Sequence, residues 1–222
     1  MSSLKAVFLD FDGVILESVD VKGWAFGELF KEYPQWREQI IKYHHAHGGV
    51  PRYDKIRYIY REFLKRPLTE DSFNKLCQQY SRLVFDRVIA SKFVLGAFEF
   101  LNEYYKELRL FIISGTPQDE IRRIVIEREL DIYFEGVLGS PESKDFWTEY
   151  LLKKHHLKAN EVLWVGDAIS DYEAAIRDHI PFIGRVRESR DIFEEKDGVY
   201  KIRNLFELSD YLKQNYSKVK GV

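Results

Sequence analysis

The stretch AVFLDFDGVILES, residues 6–18, decides how this chain is read. An apolar run ends in Asp10 and Asp12, with only Phe11 between them. The run is too brief for a stable helix and reads as a buried parallel strand. Burying one carboxylate costs free energy, and two placed close together repel each other. A cation held between them, or a reaction that uses them, removes the difficulty.

Outward from that strand the chain changes character. Residues 19–90 carry long helical patterns: WAFGELFKEY, QWREQIIKYHH, RYDKIRYIYREFL and DSFNKLCQQYSRLVFDRVI space their apolar residues at three and four. Pro34, Pro51 and Pro67 punctuate them, as proline does at helix starts. Four helices are expected there.

From about residue 91 helices and strands alternate. Helix GAFEFLNEYYKEL leads to strand LRLFIIS, and Thr116 is expected to cap a helix over 117–129 with Pro117 in its first turn. YFEGVLGS, EVLWVGD and PFIGRV read as strands. KDFWTEYLLKKHH, SDYEAAIRD and NLFELSDYLKQ read as helices, with Ser170 and Glu173 spaced as a capping box. Such alternation predicts an α/β protein with a parallel sheet covered on both faces. The first strand belongs to that sheet, so a helical insert of about seventy residues follows it, within the size of a small domain. The division expected is a core of residues 1–16 and 91–222 and a helical domain of 17–90.

At 222 residues with 45% hydrophobic and 32% charged side chains, the chain fits one globular core with an insert. A net charge of −2 gives no reason to expect nucleic acid or an anionic membrane as partner. No apolar run approaches a membrane span, and MSSLKAVFLD lacks the apolar core and cleavage site of a signal peptide. The single cysteine, Cys77, cannot form an internal disulfide and fits a reducing compartment. A cytoplasmic protein is expected. The oligomeric state is not set by the sequence, and a monomer is consistent with it.

In open parallel sheets, ligands bind beyond the carboxyl ends of the strands. Asp10 and Asp12 follow the first strand, and Ser114, Gly115 and Thr116 end LRLFIIS. Asp167 ends EVLWVGD, Asp171 lies four residues on, and Lys144 follows another strand in GSPESK. Asp10, Asp12, Asp167 and Asp171 offer hard oxygen ligands that suit Mg²⁺. Ser114 and Lys144 suit the oxygens of a phosphate. Gly13 lets backbone approach a ligand closely.

These residues resemble the haloacid dehalogenase superfamily. DFDGV matches its first motif, D-x-D-G-[TV], and FIISG its second, an apolar strand ending in Ser or Thr. Lys144 matches the third and GDAISD the fourth, G-D-x-x-x-D. The likeness runs from residue 4 to about 185, and the helical block looks like the superfamily's type 1 cap, a mobile lid. The resemblance implies a Rossmann-like core and an aspartyl-phosphate mechanism. Asp10 would be the nucleophile, and Asp12 the general acid and then base, its main-chain carbonyl also binding the metal. Ser114 and Lys144 would hold the phosphoryl group, with Gly13, Gly115 and Thr116 around it. Asp167 and Asp171 would hold Mg²⁺. The presence of Asp12 argues against dehalogenase and phosphonate chemistry, because those branches lack that acid. Glu17 stands where many relatives have Asp.

The cap stretch GGVPRYDKIRY, residues 48–58, resembles the specificity loop of the beta-phosphoglucomutase branch, where G-V-[SP]-R also precedes a helix. Arg52 and Lys55 lie about one turn apart and are expected to bind a second anionic group of the substrate. His44, His45 and His47 have no cysteine or carboxylate at ligand spacing and are not read as a zinc site. The expected function is a phosphatase acting on a small phosphate ester, a sugar phosphate or a phosphoglycolate-like metabolite. A phosphosugar mutase is the alternative.

Overall fold

Residues Ala6–Leu9 form strand β1, and each of the four is fully buried. The computed structural model describes residues 3–187 and 191–216. Beside β1 lie β2 (Arg109–Pro117) and β4 (Val162–Gly166), both parallel to it; β3 (Gly136–Ser140), β5 (Phe182–Arg185) and β6 (Tyr200–Ile202) extend the sheet in the order β3-β2-β1-β4-β5-β6. A strand with no hydrophilic residue is suited to the middle of such a sheet, since both of its faces are covered.

Successive β1 side chains serve opposite faces. Val7 and Leu9 join a core with Phe100 and Leu101 of α5 (Ala97–Tyr104), Ile121 and Val125 of α6 (Gln118–Glu127), and Leu205 and Leu208 of α9 (Leu205–Asn215). Ala6 and Phe8 join Trp164 in a second core, with Leu151 of α7 (Lys144–Lys154) and Ala175 of α8 (Ile169–Arg177). The helices thus form a layer on each side of the sheet.

Between β1 and α5 the chain leaves the sheet for the helical insert: α1 (Val19–Leu29), α2 (Arg37–Ala46), α3 (Arg52–Tyr58) and α4 (Glu70–Ile89). A π-helical turn, residues 59–64, continues α3 and ends at Lys65 with φ 51°. Thr69 caps α4, its hydroxyl accepting a hydrogen bond from the Ser72 amide at 3.2 Å. The insert's two connections run side by side. Glu17 N–H donates to the Lys92 carbonyl and Val94 N–H to that of Ile15, each at 2.9 Å. No helix among the described residues is long and apolar enough to cross a membrane.

Three local expectations change. Thr116 caps nothing: β2 runs on through Pro117, and the Thr116 hydroxyl instead donates to Asp12. The capping box lies two residues earlier than Ser170 and Glu173, because the Asp171 carboxylate accepts from the Ala168 amide at 3.0 Å. Ser170 donates to the Gly48 carbonyl of the insert. Strand β6 went unread, being three residues long with Tyr200 exposed, too short to display a period.

Candidate active site

Sheet register assembles the site. Leu9 pairs with Ile112 on one side and Val165 on the other, so Asp10 just past β1, Ser114 within β2 two residues past Ile112, and Asp167 just past β4 stand along one rim of the sheet. After Asp12 the chain turns through Gly13, whose φ of +86° lies in the left-handed region. A Cβ there would stand 2.0 Å from an Asp167 carboxylate oxygen, so the turn requires glycine for space as well as for conformation.

Lys144, the first residue of α7 behind the Ser143 cap, reaches between two acids. Its ammonium lies 3.0 Å from Asp10 Oδ1 and also donates to the Asp171 carboxylate. Carboxylate oxygens of Asp10, Asp167 and Asp171 all lie within 4.8 Å of one another, a cluster able to hold a metal ion. Burial raises the pKa of all three and carboxylate repulsion adds to it, from Asp12 at Asp10, from Asp10 and Asp171 at Asp167, and from Asp10 at Asp171, while Lys144 only partly opposes these effects. Asp171 is pushed up to about 7. One lysine does not balance three clustered carboxylates, of which Asp10 and Asp171 are buried and Asp167 half-buried. The charge and the all-oxygen donor set fit a hard divalent cation.

Asp12 stands apart from that cluster. Its carboxylate accepts from Ser18 Oγ at 2.6 Å, from Thr116 Oγ1 at 3.3 Å and from Lys22 Nζ. Lys22, on α1 of the insert, also donates to Thr116 Oγ1 at 2.6 Å. Burial favours the protonated acid, but the Lys22 charge and these hydrogen bonds together hold the Asp12 carboxyl below its ordinary value. Ser114 is buried, and its hydroxyl accepts from the Thr116 amide at 3.1 Å. Gly115 is where the insert meets the sheet: a Cβ there would stand 2.2 Å from the Gly49 carbonyl.

Above these residues lies a cavity of about 840 Å³, roofed by the insert and floored by Asp10, Asp12, Thr116 and Asp167. Arg52 and Lys55 both reach it and both are buried, but they are not equivalent. The Arg52 guanidinium is bound to the Glu120 carboxylate of α6 through both Nη atoms, one at 2.9 Å, and donates to Ser81 Oγ at 2.7 Å. Arg52, expected to meet substrate, is thus engaged by the protein's own Glu120 and Ser81 while still lining the cavity. Lys55 Nζ instead lies 3.2 Å from His44 Nδ1 and 3.4 Å from the His44 carbonyl. His44 packs its ring on Phe26, with centroids 4.9 Å apart.

Lys22, Ser18 and Glu120 escaped the sequence reading. Their use depends on the insert folding back over the sheet, and no local spacing marks them.

A profile of the haloacid dehalogenase-like hydrolase family matches residues 7–185. The chain belongs to this family. Similar solved structures span nearly all of it. A hydrolase from Pseudomonas syringae is 23% identical with a TM-score of 0.76, covering 96% of this chain and 100% of its own. A predicted phosphoglycolate phosphatase from Haemophilus somnus is 17% identical with a TM-score of 0.74, covering 95% and 99%. A haloacid dehalogenase-type hydrolase from Bacillus subtilis, solved bound to magnesium, is 17% identical with a TM-score of 0.71, covering 96% and 100%. At these identities the likeness speaks to fold. No curated protein matches the sequence.

Proposed function

We propose that this haloacid dehalogenase-like hydrolase is a Mg²⁺-dependent phosphatase of small phosphate monoesters, working through an aspartyl-phosphate on Asp10. The observation that carries this reading is Lys144 held between Asp10 and Asp171 beside the carboxylate cluster. A carboxylate attacking a phosphate dianion needs positive charge at the point of attack, and this floor has both a buried ammonium and a cation site.

Asp10 Oδ forms the bond to phosphorus as the ester P–O bond breaks, and Asp12 supplies the proton to the departing oxygen. Asp12 then takes a proton from water. That water's oxygen bonds to phosphorus, the bond to Asp10 breaks, and phosphate leaves. Lys22 favours the ionised Asp12 that the second task needs; the first needs the protonated acid, and the proton Asp12 takes from water restores that form for the next turnover. Mg²⁺, held by Asp10, Asp167 and Asp171 with the main chain of Asp12, would offset the negative charge of nucleophile and phosphoryl oxygens. Lys144 and Ser114 orient the phosphoryl group, and the main chain at Gly13, Gly115 and Thr116 allows its close approach. The helical insert, residues 17–90, serves as the lid that closes over the cavity and limits bulk water there to the one molecule that attacks the phosphoenzyme.

Release of phosphate from an aryl phosphate, with Mg²⁺ and without it, tests the reading. No release under either condition would refute it. The mutase alternative rests on the likeness of residues 48–58, Arg52 among them, to the specificity loop of the beta-phosphoglucomutase branch. With Arg52 bound to Glu120, the phosphatase is the better-supported reading, and a rate independent of sugar bisphosphate primer is expected.

A further inference from the structure

We infer that Glu120 is a specificity-determining residue: by holding Arg52 in place it closes the catalytic cavity off from a second compartment, and so limits the length of leaving group that the site accepts. The inference rests on the phosphatase reading and concerns the part of that site which takes the leaving group.

A groove of about 590 Å³ lies between the insert and the core, with Cys77 and Ser81 of α4 and Pro117 of β2 among its walls. Chain neighbours divide between the two spaces. Tyr80 lines the cavity and Ser81 the groove; Thr116 lines the cavity and Pro117 the groove. The partition is therefore one residue thick, and it starts at Thr116, on the floor beside the phosphoryl site. Among the described residues, Arg52 is the one that lines both spaces.

Three partners fix Arg52 in that position. Glu120 takes both Nη atoms, Ser81 Oγ accepts at 2.7 Å, and the guanidinium carbon lies 4.5 Å from the centroid of the Tyr80 ring. Glu120 and Ser81 stand in the groove wall, so they draw the guanidinium across the opening between the two spaces. Glu120 is its one carboxylate partner among the described residues. Arginine has many rotamers, and only such fixed contacts keep it in one of them. A residue of the core thus governs a wall that the insert supplies. Glu120 does not line the cavity, and it acts on the substrate only through Arg52. The selection is steric. A leaving group that ends short of Arg52 is unaffected, and one that must pass it overlaps a side chain held in place.

Rigid aryl phosphates of growing length, phenyl, biphenyl-4-yl and 4-(phenylethynyl)phenyl phosphate, test this. In the unaltered protein kcat/KM should fall by roughly tenfold or more along the series. Arg52→Ala/Glu120→Ala removes both charges together, which avoids leaving one buried ion unpaired. It should raise kcat/KM for the longest ester, relative to phenyl phosphate, by roughly tenfold. Glu120→Asp keeps the ion pair but draws the guanidinium back toward α6, and should move the same ratio the same way by about threefold. Glu120→Gln keeps the wall and should leave the ratio within about twofold. A merely structural role would lower all the esters alike in every variant.

Cys77, the single cysteine, lies in the groove and gives a readout free of turnover. In Asp10→Asn protein held in Mg²⁺, the longest ester should leave alkylation of Cys77 by iodoacetamide unchanged. With Arg52→Ala/Glu120→Ala added, the same ester should slow it by about threefold or more. The inference is overturned by a long ester turned over as well as phenyl phosphate in the unaltered protein, by a ratio that moves in neither Glu120→Asp nor the double variant, or by Cys77 protection that is the same with and without the pair. If the unaltered protein hydrolyses none of the esters, the phosphatase reading fails instead, and protection of Cys77 alone decides the partition.

Discussion

Arg52 of the helical insert and Glu120 of the core are joined through both Nη atoms of the guanidinium, and neither side chain is more than 9% exposed. A bidentate pair at that depth holds two surfaces in one orientation. The Arg52 guanidinium also lies over the Tyr80 ring, 4.5 Å from its centroid, so it is fixed on the insert side as well. The pair ties the helical insert to the core.

Breaking the pair from either side should have the same consequence. Arg52→Met and Glu120→Gln are each expected to lower kcat/KM by roughly tenfold, about 1.4 kcal/mol, for phenyl phosphate and for esters bearing a second acid alike. The double variant should be little worse than either single one, because both remove one interaction. A loss confined to esters bearing a second acid in Arg52→Met would show that Arg52 meets substrate after all.

Lys22, on α1 of the insert, donates to both Asp12 and Thr116. Lys22→Met should leave Asp12 less firmly placed, lowering kcat by about ten- to a hundredfold with KM changed much less. Lys22→Arg should restore part of the rate. A change in KM alone would place Lys22 in substrate binding.

Asp10 and Asp12 should fail differently. Asp10→Asn should abolish turnover and trap no phosphoenzyme. Asp12→Asn, given an aryl phosphate whose leaving group needs no proton, should phosphorylate slowly and then stall before hydrolysis. Intact-mass measurement during turnover reads both outcomes. Wild-type turnover by Asp10→Asn would contradict the covalent route.

Metal removal should silence the protein reversibly. Chelation should stop phosphate release and Mg²⁺ should restore it, while Ca²⁺ binds the same carboxylates but supports turnover poorly because of its larger, looser shell. Full activity after exhaustive chelation would contradict the assignment of Asp10, Asp167 and Asp171 as ligands.

The stability effect of Lys55 should depend on pH in a definite direction. Its pKa falls from 10.5 to about 7 on folding, through burial and the charges of Lys22 and Lys144, against Asp12 and Asp167. Between those values the unfolded chain holds the proton and the folded chain does not. Stability therefore rises with pH across that window, and the cost of the charge is fully present below about 7. Lys55→Met removes that charge, so it should raise Tm at about pH 6, and the gain should shrink toward about pH 9.5. A constant difference would show that Lys55 does not titrate in that range.

Much of the architecture was legible because it depends on local pattern. The apolar run before Asp10, the alternation after residue 91 and the helical periods of residues 19–90 each follow from spacing along the chain. The core acids were legible for a related reason: in a parallel sheet every strand end faces one rim, so Asp10, Ser114 and Asp167 meet there once the strands are placed. Errors fell where two alternatives share a local signature. Thr116-Pro117 has the composition of a helix start, and only the Thr116 hydroxyl's partner, Asp12, reveals its place in the strand.

The sequence by itself determined the fold class, the family and the convergence of acids on one rim, since these follow from residue order and strand direction. The tertiary structure alone decided which cation meets a carboxylate. Arg52 and Lys55, three residues apart on one short helix, look alike in the chain. One finds Glu120, 68 residues away, and the other finds only neutral His44. Which charge is neutralised depends on how the insert lies over the core, a long-range packing outcome that no local spacing encodes.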